Sequence, residues 1–496
     1  MKRNMIKLAA GAAALLMVAT SADAKSLVLK TDKVTLKPNM IVKYNKTPKA
    51  VDSIGEAFTE GMFYGRLRTN FFLWDWANKS DNRNNGIGGM FMYKTAPVSG
   101  FSATAAMYTS QSLSAYRMSE SDVGSSKSGK DTFSRDKVNK GAGYGLSVLG
   151  QAYLQYDLGK TSIVAGRQLF ETLLTKSNDT KMIPNTFDGI SATIKDLPKT
   201  TIKLAYFAKQ KLRDHEDSHD VLAYDNTTDA NGFANKWKGN DDSAINKSLN
   251  VDLIGNDNKL IVVGAGTKII PNLKAMVHYT AVPGVLTNIS ADLHYTIPVG
   301  GVKIIPGMRY MKQMDNLGAS VNVASLKGQA NSNVDGYKGD TTSLDSGLFA
   351  ARVDIKTGGF MARLGYSKIE DAADIVAPWR GFPTGGYTRA MAQYNWFANT
   401  ETIMLRLQYD FDDKILPGFS MMGRYAIQDF DDAKDAVAAD STVIHVDLRQ
   451  KIGESSQLKF RLGIVTADAN TVKVNQGGLK TDYSYNEYRV EYNYFF

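Results

Sequence analysis

Arginine is the side chain whose placement in this 496-residue sequence could do chemistry. Arg66 and Arg68 stand two residues apart, and Arg309, Arg352, Arg363, Arg406, Arg424, Arg449, Arg461 and Arg489 punctuate stretches of alternating polarity. A guanidinium stays charged and offers five donors in a planar fork, so the chemistry on offer is reversible binding of carboxylates and other anions. Groups for covalent chemistry do not converge. The chain has no cysteine, its five histidines are scattered, and it has no G-x-S-x-G elbow.

Composition narrows what could position these arginines. A chain that is 43% hydrophobic and 10% aromatic is not disordered, and without cysteine it can hold neither disulfides nor thiolate metal sites. Lys2, Arg3 and Lys7, the apolar stretch Leu8 to Thr20, and Ala22-Asp23-Ala24 spell a secretory signal peptide over residues 1–24, so the mature chain is expected to begin at Lys25. After that the apolar runs are far too short for a membrane helix, which needs about 20 residues.

The strongest signal has period two. Near the C-terminus Tyr488, Val490, Tyr492, Tyr494 and Phe496 alternate with Glu487, Arg489, Glu491 and Asn493. Phe63, Leu67, Thr69 and Phe71 likewise oppose Arg66, Arg68 and Asn70; Ile403, Leu405 and Leu407 oppose Arg406 and Gln408; Leu458, Phe460 and Leu462 oppose Lys459 and Arg461. Such segments are strands with one apolar and one charged face, and their length of about ten residues suits a tilted membrane strand. Aromatic residues crowd the strand ends, with Phe71, Phe72, Trp74 and Trp76 at one side and Tyr409, Phe411, Tyr494, Phe495 and Phe496 at the other, as in the girdles of a membrane barrel.

Connections between the strands alternate in length. Long ones fall near 74–85, 110–145, 169–188, 209–258, 281–287, 314–345, 369–400, 429–440 and 468–484; short ones near 95–100, 158–161, 197–200, 269–272, 298–301, 357–359, 412–417 and 453–456. Long outer loops and short periplasmic turns are the asymmetry of outer-membrane barrels. Nine loops and eight turns give the expected fold: all-β, an 18-stranded antiparallel transmembrane β-barrel spanning 61–496, with 387–397 inside the seventh loop. Closure is required, because an unpaired strand edge in hydrocarbon costs several kcal/mol per backbone group.

Facing lipid, a strand arginine would cost ~2–4 kcal/mol near mid-bilayer. The ten strand arginines named above are therefore expected to line a water-filled interior, together with Lys203, Lys303 and Lys459. Against these, Asp292, Asp354, Asp410, Asp447, Glu487 and Glu491 leave a positive excess that favours anions. The open alternative is that each arginine pairs with a neighbouring carboxylate and only braces the wall.

Other motifs carry less. Gly124 to Lys130 has the glycine spacing of a phosphate loop, but Asp131 stands where a metal-binding hydroxyl belongs, so a plain outer loop is expected. His215-Glu216-Asp217-Ser218-His219-Asp220 offers metal-capable groups, but in the longest loop the expectation is solvated charge. No metal or cofactor is expected. Residues 25–60 are ambiguous: Ser53-x-x-Glu56 could cap a short helix, and the segment could be periplasmic, enter the lumen or add a strand.

At 165–189 the chain reads Ala-Gly-Arg167-Gln168, then Asn178-Asp179-Thr-Lys181-Met-Ile-Pro184-Asn-Thr-Phe187-Asp-Gly189. This resembles the OprD family of outer-membrane porins, whose third loop follows a GRQ strand end and carries ND-x-R-x-x-P-x-x-F-x-G. Ala57-Phe58 to Gly61, Gly65-Arg66-Leu67-Arg68, and Tyr409-Asp410-Phe411 with Pro417-Gly418 and Arg424-Tyr425 match further family patterns. The resemblance implies a monomeric or trimeric barrel passing small carboxylates or amino acids. Its third loop, 169–189, would fold inward, place Asn178, Asp179, Lys181 and Phe187 at the constriction, and face a ladder that includes Arg167 and Arg68. Lys181 departs from the family's arginine, keeping the charge but losing the bidentate fork.

Together these readings predict a passive outer-membrane channel, not an enzyme, surrounded by lipid and lipopolysaccharide, taking small anionic or zwitterionic solutes and no nucleic acid. The competing expectation is a barrel that serves its long loops, as an adhesin or an envelope-structural protein.

Overall fold

The computed structural model describes residues 29–37, 40–126, 132–222, 254–255, 257–318, 320, 322–325, 336–337, 340–391, 393–411 and 415–496. The expected signal peptide, the end of the Gly124–Lys130 run and most of the 209–258 loop lie outside them.

Nineteen strand segments run from Met62–Trp76 to Tyr485–Phe495 and close into one barrel. Leu286–Tyr295 and Ile297–Val299 both pair with Val302–Asp315 and form one interrupted strand, so the barrel has eighteen strands, all pairing antiparallel. Pro298, with no N–H to donate, lies in the detached piece. The seam joins the first and last strands, from Tyr485 opposite Trp76 to Phe495 opposite Arg66. Residues 387–397 lie between Phe360–Ile369 and Glu401–Asp410, inside the seventh loop and without a strand.

Alternation places the faces. Phe63, Phe91, Leu154 and Leu364 are more than half exposed, the outer apolar surface of a barrel whose solvent on that side is lipid. Two expectations fail. The outer connections 74–85 and 281–287 shrink to 77–81 and 283–285 as the strands continue toward them; Trp76 Nε1 donates to Asn82 Oδ1 at 2.9 Å across the first. Phe72, Trp74 and Trp76 also do not join an outer girdle. They share the parity of Arg66, Arg68 and Asn70, point inward, and are buried, with Trp74 stacked on Tyr485 at 4.2 Å. Here the two-residue period outranks composition as a guide.

Segments from both ends fill the interior. The third and seventh loops pack Phe170, Leu174, Ile375, Trp379 and Trp396 with Phe187, Phe207, Val221 and Leu222 into an apolar core within the barrel. At the end opposite the long loops, Leu29–Lys30, Val34–Leu36 and Val42–Tyr44 form a small sheet that packs against Tyr64, Met90, Met92, Tyr108 and Val148 of the inner wall. The N-terminal segment thus enters the lumen. It is followed by the helix Ile54–Thr59, capped reciprocally by Ser53 and Glu56.

Candidate pore constriction and its charged wall

Cross-links between loops shape the interior of the barrel. Lys176 N donates to Trp379 O at 3.0 Å and Gly381 N to Leu174 O at 2.8 Å, joining the third loop to the seventh. A Cβ at Gly381 would lie 2.3 Å from Leu174 backbone atoms, so only glycine permits this approach. Between the joined loops, the strands Leu273–Val282, Leu286–Tyr295 and Val302–Asp315, and the N-terminal sheet lies a cavity of about 410 Å³. Glu171, Lys176, His278, Asp292 and Arg309 supply its charged and titratable lining, and Ile41, Met276 and Phe382 its apolar side.

Wall arginines hold the loops in place. Arg309 Nη1 donates to Pro383 O at 2.6 Å and Gly385 O at 3.0 Å. Arg352 and Arg363 both donate to Gly386 O, and Arg424 Nη1 to Arg389 O at 3.3 Å. The third loop is tied by Asp179, whose carboxylate receives Arg66 Nη1 at 2.8 Å and Arg68 Nη1 at 2.5 Å. Glu491 meets Arg68 at 3.0 Å on the other side.

Of the ten strand arginines, Arg66, Arg68, Arg309, Arg352, Arg363, Arg449, Arg461 and Arg489 each have a carboxylate oxygen within 4.0 Å. The carboxylate pairing that the bracing alternative expects is thus present at these eight, across strands for some and along one strand for Arg352, Arg449 and Arg489. Arg363 is bidentate on Asp354, and Arg461 on Asp447. Arg406 and Arg424 differ: among the described residues neither has such a partner. Register places them side by side, with Arg363 opposite Arg406 and Arg406 opposite Arg424. Three arginines thus line up across three adjacent strands, with Asp354 paired to Arg363 at one end and Asp447 near Arg424 at the other but beyond ion-pair reach of it.

Arg389, which the sequence reading missed, joins this row from the seventh loop. It lies over the Phe382 ring at 3.3 Å, and burial with Arg213 and Arg461 nearby pushes its guanidinium below the usual range, as expected where positive potential is incompletely neutralised. Nothing in its local sequence marks it, because the loop's path fixes its position.

The residues suggested by resemblance separate. Asn178 lines the cavity. Asp179 does not face open space; it clamps Arg66 and Arg68. Lys181 is buried with Nζ 4.0 Å from the Phe72 ring. Phe187 is fully buried and stacks on Phe207 at 4.9 Å, beneath the loop and not at its opening. Arg167 departs further. Lys203 reaches Glu171 O inside the lumen, Lys203 pairs with Thr193 and Thr193 with Ser162, so Arg167 falls on the outward parity with Ile163. There it binds Asp188 at 2.8 Å and donates to Ser218 Oγ at 2.7 Å. A strand-end motif does not fix parity. The His215–Asp220 run is solvated only in part: Glu216 and Asp217 are exposed, whereas His215, His219 and Asp220 are buried and His219 exchanges backbone hydrogen bonds with Gln210.

A closed eighteen-stranded barrel with a lipid-facing apolar exterior, a charged interior and loops folded into its lumen defines an outer-membrane porin. The match to the family described as "outer membrane porin, OprD family" covers residues 112–496, and the chain belongs to that family. Solved structures agree in fold. Pseudomonas aeruginosa OccK8 (OprE) superposes with a TM-score of 0.65 at 14% identity, covering 88% of this chain and 98% of that one. Pseudomonas aeruginosa OccK1 (OpdK) gives 0.63 at 14%, with 88% and 99% covered, and Acinetobacter baumannii OccAB3 gives 0.62 at 14% with the same coverage. No curated protein sequence matches.

Proposed function

We propose that this porin passes small anionic solutes, carboxylates foremost, by diffusion past the Arg363–Arg406–Arg424 row. The observation that carries the reading is the pair Arg406 and Arg424, adjacent on the inner wall with no carboxylate within ion-pair reach among the described residues. A braced arginine is already neutralised, whereas these two offer unused donors to a passing anion. They replace part of the water it sheds without holding it tightly, the balance conduction requires.

The cavity beside the third loop adds size selection. Glu171 and Asp292 lie there with Lys176 and Arg309, so a zwitterion could also be oriented by both ends. A related channel, Pseudomonas aeruginosa OpdK, has been solved with vanillate, an aromatic carboxylate. Planar-bilayer recording in a KCl gradient tests the proposal. An anion-favouring reversal potential that grows when chloride is exchanged for small carboxylates is expected; a cation-favouring one would overturn it.

A further inference from the structure

Most of the inner wall carries charge, but beside Arg66 and Arg68 one sector is mainly apolar. On the first four strands the inward positions hold Tyr64, Met90, Met92, Ala106, Tyr108 and Val148, all buried. In a water-filled lumen such a patch would lose roughly 25 cal/mol for each Å² left wet. It is not wet, because the N-terminal hairpin covers it together with Met182 and Ile183 of the third loop. Leu29, Val34, Leu36 and Met40 are buried against it, and Thr35, between Val34 and Leu36, faces away, so the hairpin has the alternation of a half-buried sheet.

Polar contacts fix the hairpin to the wall. Tyr64 Oη donates to Lys46 O at 2.6 Å, Lys33 Nζ to Phe63 O at 3.3 Å, and Tyr44 Oη to Met92 Sδ at 3.4 Å. Beyond them, Val51 bridges Val98 in parallel, and Ala96 N donates to Ala57 O at 2.9 Å, tying the following segment to the periplasmic rim. The far end of the hairpin reaches the cavity, which Ile41 and Asn178 of the third loop both line.

We propose that the strands Leu29–Lys30, Val34–Leu36 and Val42–Tyr44, with Met40 and Ile41, are a built-in wall of the conduit. The hairpin closes the apolar sector on the first four strands, confines solutes to the side that bears the Arg363–Arg406–Arg424 row, and sets the width of the passage at Ile41 together with the third and seventh loops. This rests on the reading of the protein as an open channel, and the experiment separates the two. Residues 29–46 are deleted, heat-modifiable mobility is used to confirm a folded barrel, and single-channel conductance is compared with that of the intact protein. A several-fold rise in conductance with weaker anion preference is expected. Equal conductance and selectivity would overturn the proposed wall; no current from either protein would overturn the channel itself.

A second variant holds if the deletion does not fold. The chain lacks cysteine, so Ile41→Cys introduces a unique thiol. A positively charged methanethiosulfonate reagent added to the open channel should lower the current in a single step. An unchanged current with labelling confirmed by mass would place Ile41 away from the path and overturn the proposal.

Discussion

Asp179 at the tip of the third loop accepts a hydrogen bond from Arg68 Nη1 at 2.5 Å, joining the element that narrows the pore to the first strand of the wall. The pair is almost fully buried, with side-chain exposures of 9% and 1%. Removing one partner of such a pair costs about 3–5 kcal/mol because the other charge stays buried. Asp179→Asn should therefore loosen the loop while the barrel, closed by its backbone ladder, stays intact. Noisier and larger single-channel currents with unchanged heat-modifiable mobility are expected; currents identical to wild type would show that the clamp does not hold the loop.

The loop-to-loop bond at Gly381 makes a steric prediction. Gly381→Ala places a methyl group against Leu174 backbone, an overpacking that costs about 1–3 kcal/mol. The third and seventh loops should separate, raising conductance and exposing both to protease. Gly301→Ala, where a Cβ meets nothing within 4 Å, is the control and should leave both readouts unchanged.

The arginine row predicts a division between selectivity and stability. Arg406→Gln and Arg424→Gln remove charges without a carboxylate partner, so the reversal potential should move toward zero with a smaller loss of thermal stability than at a paired arginine. Arg363→Gln leaves Asp354, itself buried, with Arg352 alone at 3.7 Å, and should lower stability as well. Equal thermal shifts for all three variants would contradict the distinction between braced and unbraced arginines.

Acidity should act on an outer loop. Burial, with Asp429 and Asp432 nearby, raises Asp440 to about 6, against roughly 3.9 in an unfolded chain. A carboxyl with a raised folded pKa contributes stability that is complete below the unfolded value and lost as pH rises through the folded one. The 430–440 loop should thus be better protected at pH 4 than at pH 7. Hydrogen exchange at the Phe430 amide, which donates to Asp440 Oδ1 at 2.7 Å, reports it. Asp440→Asn should flatten the profile, and a wild-type profile without slope between pH 4 and 7 would refute the assignment.

The strand count and the inward set of strand arginines were legible because a two-residue period repeats whatever the partners are. The seventh loop was likewise placed correctly by the rhythm of long and short connections. Parity was misread where composition was allowed to override it, at Trp74 and Trp76, and where a motif was carried over without register, at Arg167. What the sequence concealed was made by contacts distant in the chain. Glu171 and Arg309 reach one cavity only when the third loop folds in, and Arg389 meets Arg424 only along the seventh loop's path. Ser53 and Glu56 announced their helix, but nothing local revealed that the hairpin before it occupies the lumen.

The seam between Met62–Trp76 and Tyr485–Phe495 bears on biogenesis. Arg66 Nε donates to Asn493 Oδ1 at 3.0 Å, a bond spanning 427 positions in the chain, and Arg68 grips Glu491 beside it. The cylinder is therefore fastened by side chains far apart in sequence, and its closure is a non-local event. A chain without the strand Tyr485–Phe495 would carry two open edges, and of their acidic partners Arg66 and Arg68 would keep only Asp179.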